Sequence, residues 1–279
     1  MYSTEHLAHE VVEGLKSELS KDYRSELRNI YSVCISGSYA RGDFLDCNSD
    51  LDINVILKPG SGSQNVDDPG YLLVRSVVSN IIGERPFPSH TSGGIDWNPL
   101  LWEWLPTCEV GPIFPHDGPY FPPFGVFLFD FHQHLEVCWG EDPRPILASP
   151  PDPASMAQAW FGSSLVKIDR LSEIKDRRRV AFGTFKSLQL AQVIFGELTL
   201  HKIRLADLYR QNVPDFSMKS AGEQVIQSYI SSKYPESPPE FAEIDHYRHL
   251  TTELWDMIRK RQASVFSEDR RNDVSEHHS

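Results

Sequence analysis

The nine residues "SDLDINVIL", Ser49 to Leu57, constrain this chain more than any other stretch. Acidic and apolar residues alternate there with the two-residue period of a β-strand. Ile53, Val55 and Leu57 fall on one side, and Asp50 and Asp52 share the other at the strand's start. The apolar side has to be buried, so the strand belongs to a sheet that lies on a core. The other side then brings two like charges together beside that core, where they repel and lose solvation. A divalent cation relieves both costs, and Mg²⁺ takes oxygen ligands and bridges carboxylates to phosphates. Asp residues at strand starts also cap turns, and "SDLD" alone does not separate the two readings.

What precedes the strand favours the cation. "YSVCISG", residues 31–37, reads as a second strand running into the turn Gly37-Ser38, twelve residues before Asp50. Gly37 permits a close approach of backbone or an unusual φ. Ser38 offers a hydroxyl and a backbone N–H to a phosphate. A glycine, a serine and paired acids suggest triphosphate chemistry. The P-loop pattern with its lysine is absent from the chain. Arg41 either contacts phosphate or pairs with Asp43.

Around this centre, residues 4–29 read as a helix, with Leu7, Val11, Leu15 and Leu19 on one face. Residues 58–70 read as a loop, 71–82 as a helix, and "IDWNPLLW", residues 95–102, as a short strand carrying Asp96. Residues 106–124 are rich in Pro and Gly and read as irregular; residues 126–137 suit helix or strand, and the prolines before them favour helix. A proline-rich stretch ending near residue 153 separates two styles of sequence, and everything after it reads as helix. Phe185, Leu188, Gln192 and Phe195 share a flank, the pattern resumes over 198–211, and Pro214 closes it. Further helices are expected over 219–233 and 239–262. The expected fold is α+β: a small twisted mixed sheet with helices on one face over residues 1–148, an all-helical bundle over 149–263, and a disordered polar tail over 264–279. The active site is expected between the two domains.

Charge narrows the partners. The chain has 279 residues, with 27 basic against 39 acidic, a net charge of −12. A nucleic-acid binder shows a basic patch or excess, and none is visible; "KDRRR" at 175–179 and "IRKRQ" at 258–262 read as solvated helix faces. An acidic surface suits small cationic partners, although it also serves solubility alone. Glu103, Glu109, Asp117 and Asp130 are the acids that such an acceptor would meet. Cys34, Cys47, Cys108 and Cys138 form no CxxC pair and read as free thiols. With no apolar signal core and no run of eighteen apolar residues, the protein reads as cytoplasmic. His132 and His134, two apart with no third ligand nearby, read as packing or solvent residues, as does the pair His246 and His249. Trp97, Trp102 and Trp104 read as core or interface packing before base stacking, and Tyr39 as packing against the fold or brushing a nucleotide.

"GSYARGDFLDCNSDLDI" closely resembles the signature of the polymerase-beta-like nucleotidyltransferases: Gly37-Ser38, Gly42, and Ser49-Asp50-Leu51-Asp52. "HLEVCWGEDPRPIL" and "GELTLHKIRLADLYR" further resemble segments of bacterial aminoglycoside nucleotidyltransferases. The resemblance implies a third carboxylate on a following strand; Asp96 is the choice, Asp130 the competitor and Glu109 a third. It implies two Mg²⁺ ions held by Asp50, Asp52 and Asp96, a nucleoside triphosphate, most plausibly ATP, at Gly37, Ser38 and Arg41, and Lys202 on its β/γ-phosphates. The implied reaction moves AMP to a hydroxyl of a small cationic acceptor and releases pyrophosphate. A protein or nucleic-acid acceptor, or an inactive regulatory module, are the alternatives, and a homodimer is left open.

Overall fold

The computed structural model describes residues 3–21, 23, 25–45, 49–60, 67–85, 95–102, 105–106, 124–149, 183–185, 187–189, 191–192, 195, 201–231 and 244–276. The chain divides into two compact units: Met1–Gly118 with Pro123–Pro151, and Pro119–Pro122 with Asp152–Ser279. The first is a mixed α/β sheet domain and the second is all-helical among the described residues.

The first unit is built on a sheet of order β3-β2-β1-β4. Strands β1 (Ile30–Ser36), β2 (Leu51–Leu57), β3 (Ile95–Leu101) and β4 (Glu136–Gly140) supply it. β1 runs antiparallel to both β2 and β4, and β2 runs parallel to β3. Helix α3 (Pro69–Ile82) makes the crossover that a parallel pair requires. β3 is an edge strand, which is where Pro99, with no N–H to give a second neighbour, is tolerated.

One face of the sheet carries the main core. Val33, Ile35, Leu51, Ile53, Val55 and Leu57 pack there against Leu7, Val11, Leu15 and Leu19 of α1 (Thr4–Leu19) and Val74 and Val78 of α3. The 4–29 helix expected from sequence stops at Leu19. The four-residue apolar spacing ends there, the Ser20 hydroxyl donates to Lys16 O, and the chain enters a single 3₁₀ turn at Leu27–Asn29 before β1. The expectation of helices on one face is corrected as well. Leu128 and Phe131 of α4 (Phe124–Gln133) pack with Cys34, Ile56 and Leu100 on the opposite face. The stretch 126–137, which suited helix or strand with helix preferred, holds both, α4 and then the start of β4: Glu136 and Val137 pair with Ile35 and Cys34 of β1, so sheet pairing decides its end.

Helix α3 starts on a cap that sequence makes plain. Asp68 Oδ1 accepts from Gly70 N at 2.8 Å and from Tyr71 N at 3.4 Å, Pro69 occupies the first turn, and Asn29 Nδ2 donates to Asp68 Oδ2 at 3.0 Å. Asp68→Ala removes a buried cap and strands the Asn29 amide. The expected loss is about 2 kcal/mol of unfolding free energy, read as a lower urea midpoint at unchanged slope.

In the second unit, Phe185, Leu188, Ala191 and Gln192 are buried along one helix flank. Helices α5 (Leu205–Asn212), α6 (Lys219–Ser231) and α7 (Ile244–Glu276) follow. Residues 201–204, expected to be helical, form the turn ahead of α5. α5 ends before Pro214, and Lys219 Nζ donates to Val213 O at 2.5 Å and to Arg210 O at 3.2 Å, closing its end. α7 continues past residue 263 into the stretch read as a polar tail; no Gly or Pro lies between residues 244 and 276 to stop it. The irregular segment expected over 106–124 falls almost wholly outside the described residues, as do Cys47, Cys108, Glu103, Trp104, Glu109 and Asp117.

Candidate active site

On the face that α4 covers, polar residues line up across the sheet in rows. Ser36 of β1 is the register partner of Asp52 of β2, and Asp52 is the partner of Asp96 of β3. Residues directly opposite on neighbouring strands project to the same face, so the sheet sets two carboxylates side by side. Asp50 immediately precedes β2, two residues before Asp52. One row deeper, Cys34, Asn54 and Asn98 are partners. The row after that, Ser32, Ile56 and Leu100, turns toward the second core.

The Gly-Ser turn closes over the first row. Ser36 ends β1 and Gly37 opens the short helix α2 (Gly37–Arg41) with φ at +67°. A Cβ on Gly37 would run into the Asp52 carboxylate, 2.8 Å from its Cγ. Two constraints therefore ask for glycine at once, a left-handed φ and contact of the backbone with the acid. Gly42 ends α2 at φ +73°, its N–H donating to Tyr39 O at 3.0 Å, while Asp43 N donates to Ser38 O at 2.9 Å. Ser38 is buried. Ser49 braces the returning loop: its Oγ accepts from Leu45 N at 2.8 Å, and its N–H donates to Leu45 O at 3.0 Å. Its part in the motif is thus to shape the approach to Asp50.

Asn54 supports the row from beneath. Its Nδ2 donates to Ser36 Oγ at 2.8 Å, and its Oδ1 is buried and accepts no hydrogen bond. An orphaned buried oxygen costs about 1–3 kcal/mol. It stands one row behind Asp52 and Asp96, so the oxygen-rich character of the site extends below the carboxylates. Asn54 and Asn98 are not among the residues expected from the sequence. The signal was present: both strands carry the same Asp-x-Asn order, Asp52-Ile53-Asn54 and Asp96-Trp97-Asn98.

Arg41 sits at the far end of α2 and pairs with two carboxylates, Nε with Asp43 Oδ1 at 3.2 Å and Nη1 with Asp130 Oδ2 at 2.6 Å. Burial works against its charge, but Asp130, Asp43 and then Asp52 outweigh that and hold the guanidinium above its ordinary pKa. Asp130, the competitor for third carboxylate, is thus engaged by Arg41 on α4, whereas Asp96 lies in register with Asp52. Tyr39 packs against the main core, and its hydroxyl meets His9 Nδ1 at 3.0 Å. Burial pushes its pKa up to about 12.

Of the other residues singled out, Lys202 belongs to the second unit. It is 5% exposed, in the turn ahead of α5, rather than on a surface helix face. Trp97 packs at the edge of the main core with Arg75 over its ring at 5.5 Å, and Trp102 meets Tyr31 edge-on. His132 Nε2 lies 2.8 Å from Ala148 O. Cys34 and Cys138 are free, buried thiols. Among the described residues, no three His, Cys, Asp or Glu side chains gather closely enough to hold a metal by themselves. An all-oxygen pair, Asp52 and Asp96, fits instead the way Mg²⁺ is bound, through one or two carboxylates with substrate phosphate and water completing its shell. No helix among the described residues is long and apolar enough to cross a membrane.

Three comparisons bear on this arrangement. Residues 14–82 match the family model of the nucleotidyltransferase domain. No curated protein matches the chain. Among solved structures, the spectinomycin adenyltransferase of Enterococcus faecialis, crystallised with ATP and spectinomycin, aligns over 88% of this chain and 98% of its own, at 13% identity and a TM-score of 0.55. The matched residues hold β1, α2, β2 and α3, and with them Gly37, Asp50 and Asp52. Residues 14–82 of the first unit thus match a nucleotidyltransferase domain, and the chain as a whole shares the fold of the spectinomycin adenyltransferase.

Proposed function

We propose that this protein transfers a nucleoside monophosphate, AMP from ATP, to a hydroxyl of a small cationic aminoglycoside-like acceptor, with release of pyrophosphate. The observation that carries the reading is the register of Asp52 with Asp96 beneath a glycine that touches the Asp52 carboxylate. Asp52 and Asp96 are the pair that would hold Mg²⁺, with Asp50, two residues before Asp52, as the further ligand that the resemblance implies; when bound, the ion would offset the charge of the phosphates and of the attacking and leaving oxygens.

The chain's own residues do the rest. The Gly37-Ser38 turn lets the triphosphate approach the backbone, with the Ser38 hydroxyl and neighbouring N–H groups as donors to it. Asp96 takes the proton of the acceptor hydroxyl as that oxygen attacks the α-phosphorus. Asp52, pinned by Gly37 and flanked by Ser36, keeps its carboxylate fixed, so little reorganisation is left for the reaction itself. A net charge of −12 supports a cationic acceptor, whose approach it accelerates.

The test is a panel of aminoglycoside-like and neutral hydroxylated acceptors, each incubated with ATP and Mg²⁺ and read by mass spectrometry. The expected product is a cationic acceptor heavier by one AMP, with turnover falling as ionic strength rises. Modification confined to neutral acceptors, or to protein or RNA added in the same assay, would overturn the acceptor class.

A further inference from the structure

The buried ion-pair group around Arg41 takes no part in the transfer described above, and what it implies rests on the reading that Asp52 receives the cation. Arg41 closes the five-residue helix that opens at Gly37 against Asp52. Its side chain is only 5% exposed, those of Asp43 and Asp130 0% and 13%. Asp43 lies two residues along the same loop, so that pair is local. Asp130 comes from α4, 89 residues away, and is the contact that fixes where the guanidinium goes relative to the sheet. Its Oδ1 is buried and accepts no hydrogen bond, so Asp130 meets Arg41 through Oδ2. A buried guanidinium has to be matched by charge. With the Asp130 charge removed, Arg41 keeps its pair with Asp43, and the next carboxylate that favours its charge is Asp52, packed against Gly37 at the start of the same five-residue helix.

We propose that Asp130 is a positioning residue: it holds the Arg41 guanidinium on α4 and keeps it from settling on Asp52, where it would compete with the cation. Asp130 thereby acts on the site through Arg41, without touching substrate.

The experiment measures Mn²⁺ binding to the full chain with a non-hydrolysable ATP analogue, from the electron paramagnetic resonance signal of free Mn²⁺. Asp130→Asn is expected to weaken Mn²⁺ binding about tenfold, since an opposite charge brought close to a carboxylate stabilises it by about one pKa unit or more against any other cation. The double variant Arg41→Gln/Asp130→Asn is expected to bind Mn²⁺ several-fold more tightly than Asp130→Asn, because the competing cation is gone. Asp130→Glu keeps the charge and is expected to bind as the parent does, which also covers a poorly folded asparagine variant. Unchanged binding in Asp130→Asn overturns the proposal alone. Weakening that persists in the double variant overturns it too, and makes Asp130 a ligand or a mere packing residue. A parent chain that binds no Mn²⁺ removes the reading of Asp52 itself, and the proposal with it.

Discussion

Gly37→Ala is expected to lower nucleotidyl transfer about 100-fold while leaving a folded protein. An alanine at φ +67° costs about 1–2 kcal/mol of backbone strain. That lowers the melting temperature of the chain by a few degrees. The larger effect is on the site. The new methyl group would lie against the Asp52 carboxylate, and since the glycine's own backbone is tied into β1 and α2, the carboxylate is what moves. A displacement of about 1 Å in a reacting group costs on the order of 100-fold in rate. Circular dichroism and a thermal melt beside initial rates separate the two contributions. Activity that falls only in proportion to the folded fraction would show that the contact between Gly37 and Asp52 has no bearing on chemistry.

Asp52→Asn and Asp96→Asn are each expected to cut turnover by about 1,000-fold or more, equivalent to ~4 kcal/mol of barrier. Each removes one of two charges that the sheet register sets side by side. Residues that act as a unit lose function non-additively, so the double variant is expected to be no slower than the slower single one by more than a few-fold. Neither variant is expected to unfold the protein. Both side chains are only partly buried, and relieving the repulsion between them is favourable in the absence of a cation. An Asp96→Asn protein with ordinary turnover would take the third carboxylate away from β3.

Much of this was legible because it is local. The alternation in "SDLDINVIL" gives a strand with one apolar side whatever surrounds it, and β2 has that strand's parity. "IDWNPLLW" gave a second strand, and the register that pairs Asp52 with Asp96 follows from placing β3 beside β2. Helix α1 ended sooner than read because the apolar spacing ends at Leu19, and charged residues beyond it are as compatible with turn as with helix. β4 was left undecided for a different reason. "HLEVCW" has no strong period, and only pairing with β1 makes it a strand. Two opposed cores likewise need the sheet in place before Cys34, Ile56 and Leu100 can be assigned to one side. The Arg41–Asp130 pair joins residues 89 apart, and no local pattern announces it. Asn54 was legible and overlooked, since the parity that placed Asp52 also places Asn54 on its face.

If carboxylates arranged by the sheet drive nucleotidyl transfer, turnover has to depend on Asp52. The most direct test is acceptor-dependent pyrophosphate release from ATP with Mg²⁺, compared between the parent chain and Asp52→Asn at equal folded concentration. Release that requires the acceptor and drops about 1,000-fold in the variant is the expected result. Release that is the same in both proteins would mean that Asp52 has no part in the transfer.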